Sequence, residues 1–130
     1  MMRYWGIDYI KCIYCSNYPL KLIVLDYVKE SIDTAGLEKP LCRNYCGYLN
    51  ESIQKNKEYP CNECLSIGIR EAVLYCDKCN RWYPVINGIL QMLRDNKRKE
   101  SVEKEFLNKW SDKLPKQIVY EGKPFNLSNI

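Results

Sequence analysis

Histidine is absent from this 130-residue chain, so imidazole acid–base and triad chemistry is excluded and a metal site of the kind its cysteines suggest must be all-thiolate. Glycine is scarce: six residues, at 6, 36, 47, 68, 88 and 122, make neither a GxGxxG turn nor a phosphate-binding loop. No doubly wound βα pattern is present to hold a nucleotide cofactor, so the chain is not expected to be an enzyme by itself. Long hydrophobic runs are missing as well. The longest clear aliphatic run is Leu22 to Leu25, far below the roughly 18 apolar residues of a membrane span. The opening residues, MMRYWGIDYIKC, lack the apolar core and small-residue cleavage site of a secretory signal, which predicts an intracellular, cytoplasmic protein.

What the chain has in quantity is cysteine. Eight residues fall into four knuckles, CIYC, CRNYC, CNEC and CDKC. In a chain without a secretion signal this spacing points to closed, structural Zn²⁺ sites rather than extracellular disulfides. Four knuckles make two tetrahedral sites in three ways: nested, sequential or interleaved. Nesting has a physical advantage. Cys12 and Cys15 lead into one strand while Cys76 and Cys79 join two others, so an outer site would clamp one end of a sheet. Cys42, Cys46, Cys61 and Cys64 would then fold an inserted lobe as a second site. A pair of disulfides is the alternative for these inner four, and a redox-active CxxC lacks the surrounding βαβ pattern. The formal charge of +4 does not by itself imply nucleic acid. Eight thiolates would subtract eight charges and two zinc ions would return four, leaving a nearly neutral protein.

The remaining pattern predicts a small α+β fold, a zinc-ribbon-like antiparallel sheet domain built from N- and C-terminal parts. Strands are expected at 20–28 and 69–75, the second running into Cys76. Asn87-Gly88 between Ile86 and Ile89 has the sequence of a type I′ hairpin turn. Pro84 removes a ladder donor and marks its strand as an edge or a strand end. Residues 1–28 and 67–95 form the discontinuous zinc-binding domain, 29–66 the Cys-rich inserted lobe, and 96–130 a C-terminal extension. In that extension Ser101 would cap an amphipathic helix bearing Val102, Phe106, Leu107, Trp110 and Leu114, closed by Pro115. The tail from 116 would add a short extended segment.

The stretch CDKCNRWYPVINGILQML, with NYPLKL after the first knuckle, resembles the zinc-binding domain of the tRNA methyltransferase 112-like activator subunits, archaeal type. The resemblance covers about residues 7 to 28 and 67 to 93. It implies a non-catalytic subunit that activates and stabilises class I S-adenosylmethionine-dependent methyltransferases acting on tRNA, rRNA or a translation release factor, as a heterodimer. The methyltransferase, not this chain, would bind S-adenosylmethionine. The resemblance also implies a discontinuous zinc-binding domain whose N- and C-terminal parts enclose an inserted region, which supports nested pairing, and a strand of Ile89, Leu90, Gln91, Met92 and Leu93 laid beside an edge strand of the partner; Pro84 and Ile86 are expected at the same interface. The chain departs from the family pattern at Leu90, where proline is common, in the Cys-bearing insertion, and in everything beyond about residue 96.

The residues themselves point to a protein partner too. Trp82, Pro84 and Ile86 share one face of their strand and Tyr83 and Val85 the other, and both faces are apolar. Either the C-terminal helix covers one of them or a partner does. If the hairpin were core throughout, Leu90 and Met92 would lie under the Trp110 helix. The competing function is a nucleic-acid-binding zinc ribbon of the transcription or translation machinery. Lys97, Arg98 and Lys99 would then grip phosphate, and Arg81, Trp82 and Tyr83 would touch phosphate and stack a base. Acidic neighbours Asp95, Glu100, Glu103 and Glu105 weigh against it, so RNA contact is expected to be auxiliary at most.

Overall fold

The computed structural model describes residues 2–30, 44–54 and 57–128. Its frame is a four-stranded antiparallel sheet in the order β1-β4-β5-β6, with β1 at Lys21–Lys29, β4 at Ile67–Cys76, β5 at Arg81–Ile86 and β6 at Ile89–Leu90. In the inserted lobe, β2 (Tyr45–Cys46) pairs with β3 (Glu51–Ser52) and a single-turn helix, α1, spans Cys61–Leu65. The extension forms α2 (Glu100–Trp110) and α3 (Lys116–Glu121). No helix among the described residues is long and apolar enough to cross a membrane.

β1 and β4 pair along nearly their whole lengths, from Lys21 opposite Tyr75 to Lys29 opposite Ile67, with register shifts on either side of Asp26. Irregular register, together with Lys21, Asp26 and Lys29, blunts the outer edge of β1 against further pairing. β4 and β5 are almost continuously apolar because the sheet is covered on both faces. One face carries Leu22, Ala72, Leu74, Tyr83 and Val85, packed with Ile7, Cys12 and Leu20 of the N-terminal segment. The opposite face carries Val73, Tyr75 and Trp82, covered by Phe106, Leu107, Ile118 and Val119 of the extension. Trp82 stacks on Phe106 at 6.1 Å between ring centroids, and its indole N–H donates to the Phe125 carbonyl at 2.8 Å. The C-terminal extension therefore supplies the cover that the apolar Trp82 face requires.

Several local expectations are corrected. Ser101 does not cap α2; Lys99 occupies the N-cap, without a side-chain cap, and Ser101 sits inside the first turn. Val102 is exposed rather than part of the buried stripe. The tail after Pro115 is helical, because proline's fixed φ of −57° sets the entry to α3 and Ile118 and Val119 have a core to enter. Extended backbone follows from Gly122, and Lys123 bridges Arg81 in parallel. The arrangement of the hairpin faces is the reverse of the all-core expectation: Leu90 and Met92 pack on the Tyr83 side, not beneath α2.

Candidate metal centre

Two knuckles from opposite ends of the domain meet at the top of the sheet. In each, the residue after the second cysteine adopts a left-handed backbone, Ser16 at φ 60° and Asn80 at φ 63°. That conformation turns the chain sharply away after CxxC and lets both thiols face inward. Cys12 accepts a backbone hydrogen bond from Ser16 at 3.0 Å, closing the first loop. The strands hold the loops in place, since β1 follows the first knuckle and β4 and β5 flank the second.

The Sγ atoms of Cys12, Cys15, Cys76 and Cys79 all lie within 4.8 Å of one another. Cys12 and Cys79 are 3.6 Å apart and Cys15 and Cys76 3.4 Å. A Zn–S bond of about 2.3 Å requires S···S edges of about 3.8 Å in a regular tetrahedron, so the four thiols fit that ion. With an ion bound, four sulfur ligands would complete the tetrahedron and leave no position for water or substrate, the donor set of a structural site. Surrounding donors suit bound thiolate. Tyr83 Oη lies 3.3 Å from Cys12 Sγ and Asn17 Nδ2 lies 3.6 Å from Cys76 Sγ. A metal-bound thiolate can only accept, so the hydroxyl and amide are the donors there.

The thiols themselves register the need for a cation. Burial raises Cys12, but hydrogen bonds from Tyr83, the backbone at Cys15 and Tyr14, and Cys79 hold it down to about 6. Burial, with the other thiols adding, pushes Cys79 up to about 12. Ionisation is thus favoured at Cys12 and opposed at Cys79, and a bound cation would favour the thiolate form at both.

Cys46, Cys61 and Cys64 of the inner set are buried in the lobe but, unlike the outer four, form no metal-ligating cluster among the described residues; Cys42 lies outside the described residues. The lobe is tied to the outer domain by a residue that the sequence reading passed over. Asp8, only 5% exposed, accepts from the backbone N–H groups of Asn44 and Tyr45 at 2.9 and 2.8 Å through one carboxylate oxygen. The signal available in sequence was an acidic residue enclosed by YWGI and YI.

The interface residues expected from sequence occupy the other end of the sheet and do not form one surface. Pro84 is buried and Ile86, Leu90, Gln91 and Met92 are half-buried, while Ile89 is 63% and Leu93 42% exposed. Asn87 and Gly88 have φ of 53° and 78°, the type I′ pattern. A two-residue turn makes Ile86 and Ile89 a hydrogen-bonded pair, so the backbone groups of Leu90 point away from β5, toward the open edge. Pairing continues to Gln91, whose N–H donates to the Pro84 carbonyl at 2.8 Å. Pro84 cannot donate in return, and β6 ends at Leu90 instead of running to Leu93. β5 is consequently not the edge; β6 is.

The residues suggested for RNA contact are mostly unavailable. Trp82 and Tyr83 are fully buried, Arg98 is 6% exposed, and Arg81 is bound to Asp95 at 2.7 Å while lying 3.6 Å over the Tyr14 ring. The apparent KRK cluster presents only Lys97 and Lys99 to solvent. Compared with known protein families and with curated proteins, the chain matches no family model and no curated protein.

Proposed function

We propose that this chain is a non-catalytic, zinc-stapled subunit that activates and stabilises class I S-adenosylmethionine-dependent methyltransferases modifying tRNA, rRNA or a translation release factor, docking by strand addition at β6. The observation that supports the reading is the edge position of β6: by register the N–H of Leu90 faces away from β5, and Ile89 and Leu93 on the same strand path are exposed. Main-chain pairing at such an edge supplies affinity and the flanking apolar side chains supply specificity. Leu90 stands where the resembled family commonly has proline, so this chain keeps one additional outward donor. Zinc is the ion proposed for Cys12, Cys15, Cys76 and Cys79. A second zinc is proposed for Cys42, Cys46, Cys61 and Cys64, supported by burial of the last three in a lobe too small to fold on apolar packing alone.

In this role the outer site rigidifies the knuckle end of the sheet and the extension seals the Trp82 face, leaving the hairpin end for a partner. The nucleic-acid alternative is less favoured, because its proposed stacking rings and its central arginine are buried. Co-expression with class I methyltransferases from the same cell is the test. The chain alone should show no turnover, and its cognate methyltransferase should gain solubility and S-adenosylmethionine binding in its presence. Methyltransferases that are equally soluble and active without it would overturn the proposal.

A further inference from the structure

A groove of about 330 Å³ runs beside β6, between the hairpin and the first turn of α2. Its apolar wall is made by Pro84, Ile86, Leu93 and Val102. Its polar wall holds three cationic residues, Lys97, Arg98 and Lys99, against one carboxylate, Glu103, an excess of two positive charges. Glu103 is already engaged, accepting from Arg98 Nε at 2.9 and 2.8 Å and lying 2.6 Å from Nη2. Arg98 Nη1 remains, buried and without a hydrogen-bond partner, in a side chain with no solvent exposure. At the start of α2 the N-cap Lys99 provides no side-chain acceptor, while Glu100 and Glu103 stand in the first turn and offset the helix dipole, so the positive charge of this wall rests on the lysines. Two exposed lysines, Lys97 and Lys99, thus flank a channel whose other wall is aliphatic, above a buried arginine that lies over the Trp82 and Tyr83 rings.

We infer that this groove seats an acidic, extended segment of the protein partner, an Asp or Glu side chain meeting the Lys97–Lys99 wall while its aliphatic neighbours fill the Ile86–Leu93–Val102 wall. The inference rests on the reading of β6 as the docking edge and adds the chemistry of the docked segment. A strand paired with β6 would place alternate side chains over this groove, giving the charge a fixed register. The test places a photo-crosslinking benzoylphenylalanine at Ile89 or at Val102 of the full chain in its native cells, and maps the linked peptides by mass spectrometry. Titration of the complex with the Lys97→Glu/Lys99→Glu variant follows; both lysines are exposed, so the fold is retained. Both probes should link to one protein, the Val102 peptide should contain Asp or Glu beside the linked residue, and the double variant should weaken the complex at least about tenfold. Replacing that partner carboxylate by its amide should make wild type and double variant bind alike. If Ile89 links to a protein but Val102 does not, or if the double variant binds as wild type does, the inference fails while the edge reading stands. Failure of both probes to link to protein, or linkage to RNA, overturns both.

Discussion

Gln91 donates its backbone N–H to the carbonyl of Pro84 at 2.8 Å, and Pro84 has no N–H with which to answer. This one-sided pair ends the β5–β6 ladder and leaves β6 a short edge. Pro84→Val keeps a buried apolar side chain and supplies the missing donor, so residue 84 should acquire a slowly exchanging amide and pairing should extend past Leu90. Hydrogen exchange read by NMR checks this; a rapidly exchanging amide at 84 would contradict the register. Conversely, Leu90→Pro removes an outward donor without touching the inner ladder. It should leave the fold intact and weaken partner binding about fivefold, in line with one hydrogen bond of about 1 kcal/mol.

Tyr83→Phe isolates the hydroxyl that faces Cys12. The ring still fills its place in the core, but the Cys12 thiolate loses a donor. Zinc affinity should fall by about 10- to 100-fold in a competition titration with a chromophoric chelator. Complete chelation should unfold the domain, visible as loss of near-ultraviolet circular dichroism, because the site closes two chain segments that are far apart in sequence and share a small core.

Gly122 is required for space. A Cβ there would lie 2.5 Å from the Ile118 carbonyl oxygen and 2.7 Å from Trp82 Cδ1, neither of which can retreat. Gly122→Ala should cost about 1–3 kcal/mol in urea unfolding, and a change within error would show that α3 docks more loosely than described.

Arg98 and Glu103 form a pair whose side chains are 0% and 5% exposed. Glu103→Ala strands the guanidinium over Trp82 and Tyr83 and should cost about 3–5 kcal/mol. The double replacement Arg98→Met/Glu103→Leu should recover most of that loss, since it removes both buried charges. Equal instability of single and double variants would place the effect in packing instead.

Asp95 predicts a pH dependence. Its hydrogen bond from Arg81 holds the carboxyl below its usual 3.8, burial working against it. Because the folded value is the lower one, the stabilisation is complete above the unfolded value and is lost as pH falls through the folded one. Asp95→Asn should therefore flatten the acid limb of the stability–pH curve below about pH 4, and an unchanged limb would exclude this pair as its source.

Features that depend on neighbouring residues were readable in advance; those that depend on register or on distant packing were not. CxxC spacing and the Asn87-Gly88 turn are local chemistry, and the structure brings the outer four thiols together and turns the chain at those two residues. Pro84 was read as marking an edge because a missing donor is visible in sequence, whereas the side toward which it is missing follows from the pairing with Gln91. Lys97, Arg98 and Lys99 looked like one basic patch, but the 3₁₀ turn at Asp95–Lys97 sends Arg98 inward to Glu103 and leaves its neighbours outside. The helical tail was missed for a similar reason: six residues of KQIVYE have little helix preference until Trp82 and Leu107 offer a surface for Ile118 and Val119.

The most direct measurement is affinity purification of the tagged chain from its own cells beside an Ile89→Arg variant, with co-purifying proteins identified by mass spectrometry. Ile89 is exposed, so the variant should fold and bind metal like the wild type. The account predicts a class I methyltransferase recovered with wild type and lost with the variant. Recovery of polymerase or ribosomal proteins without a methyltransferase, or of a methyltransferase equally with both, would contradict it.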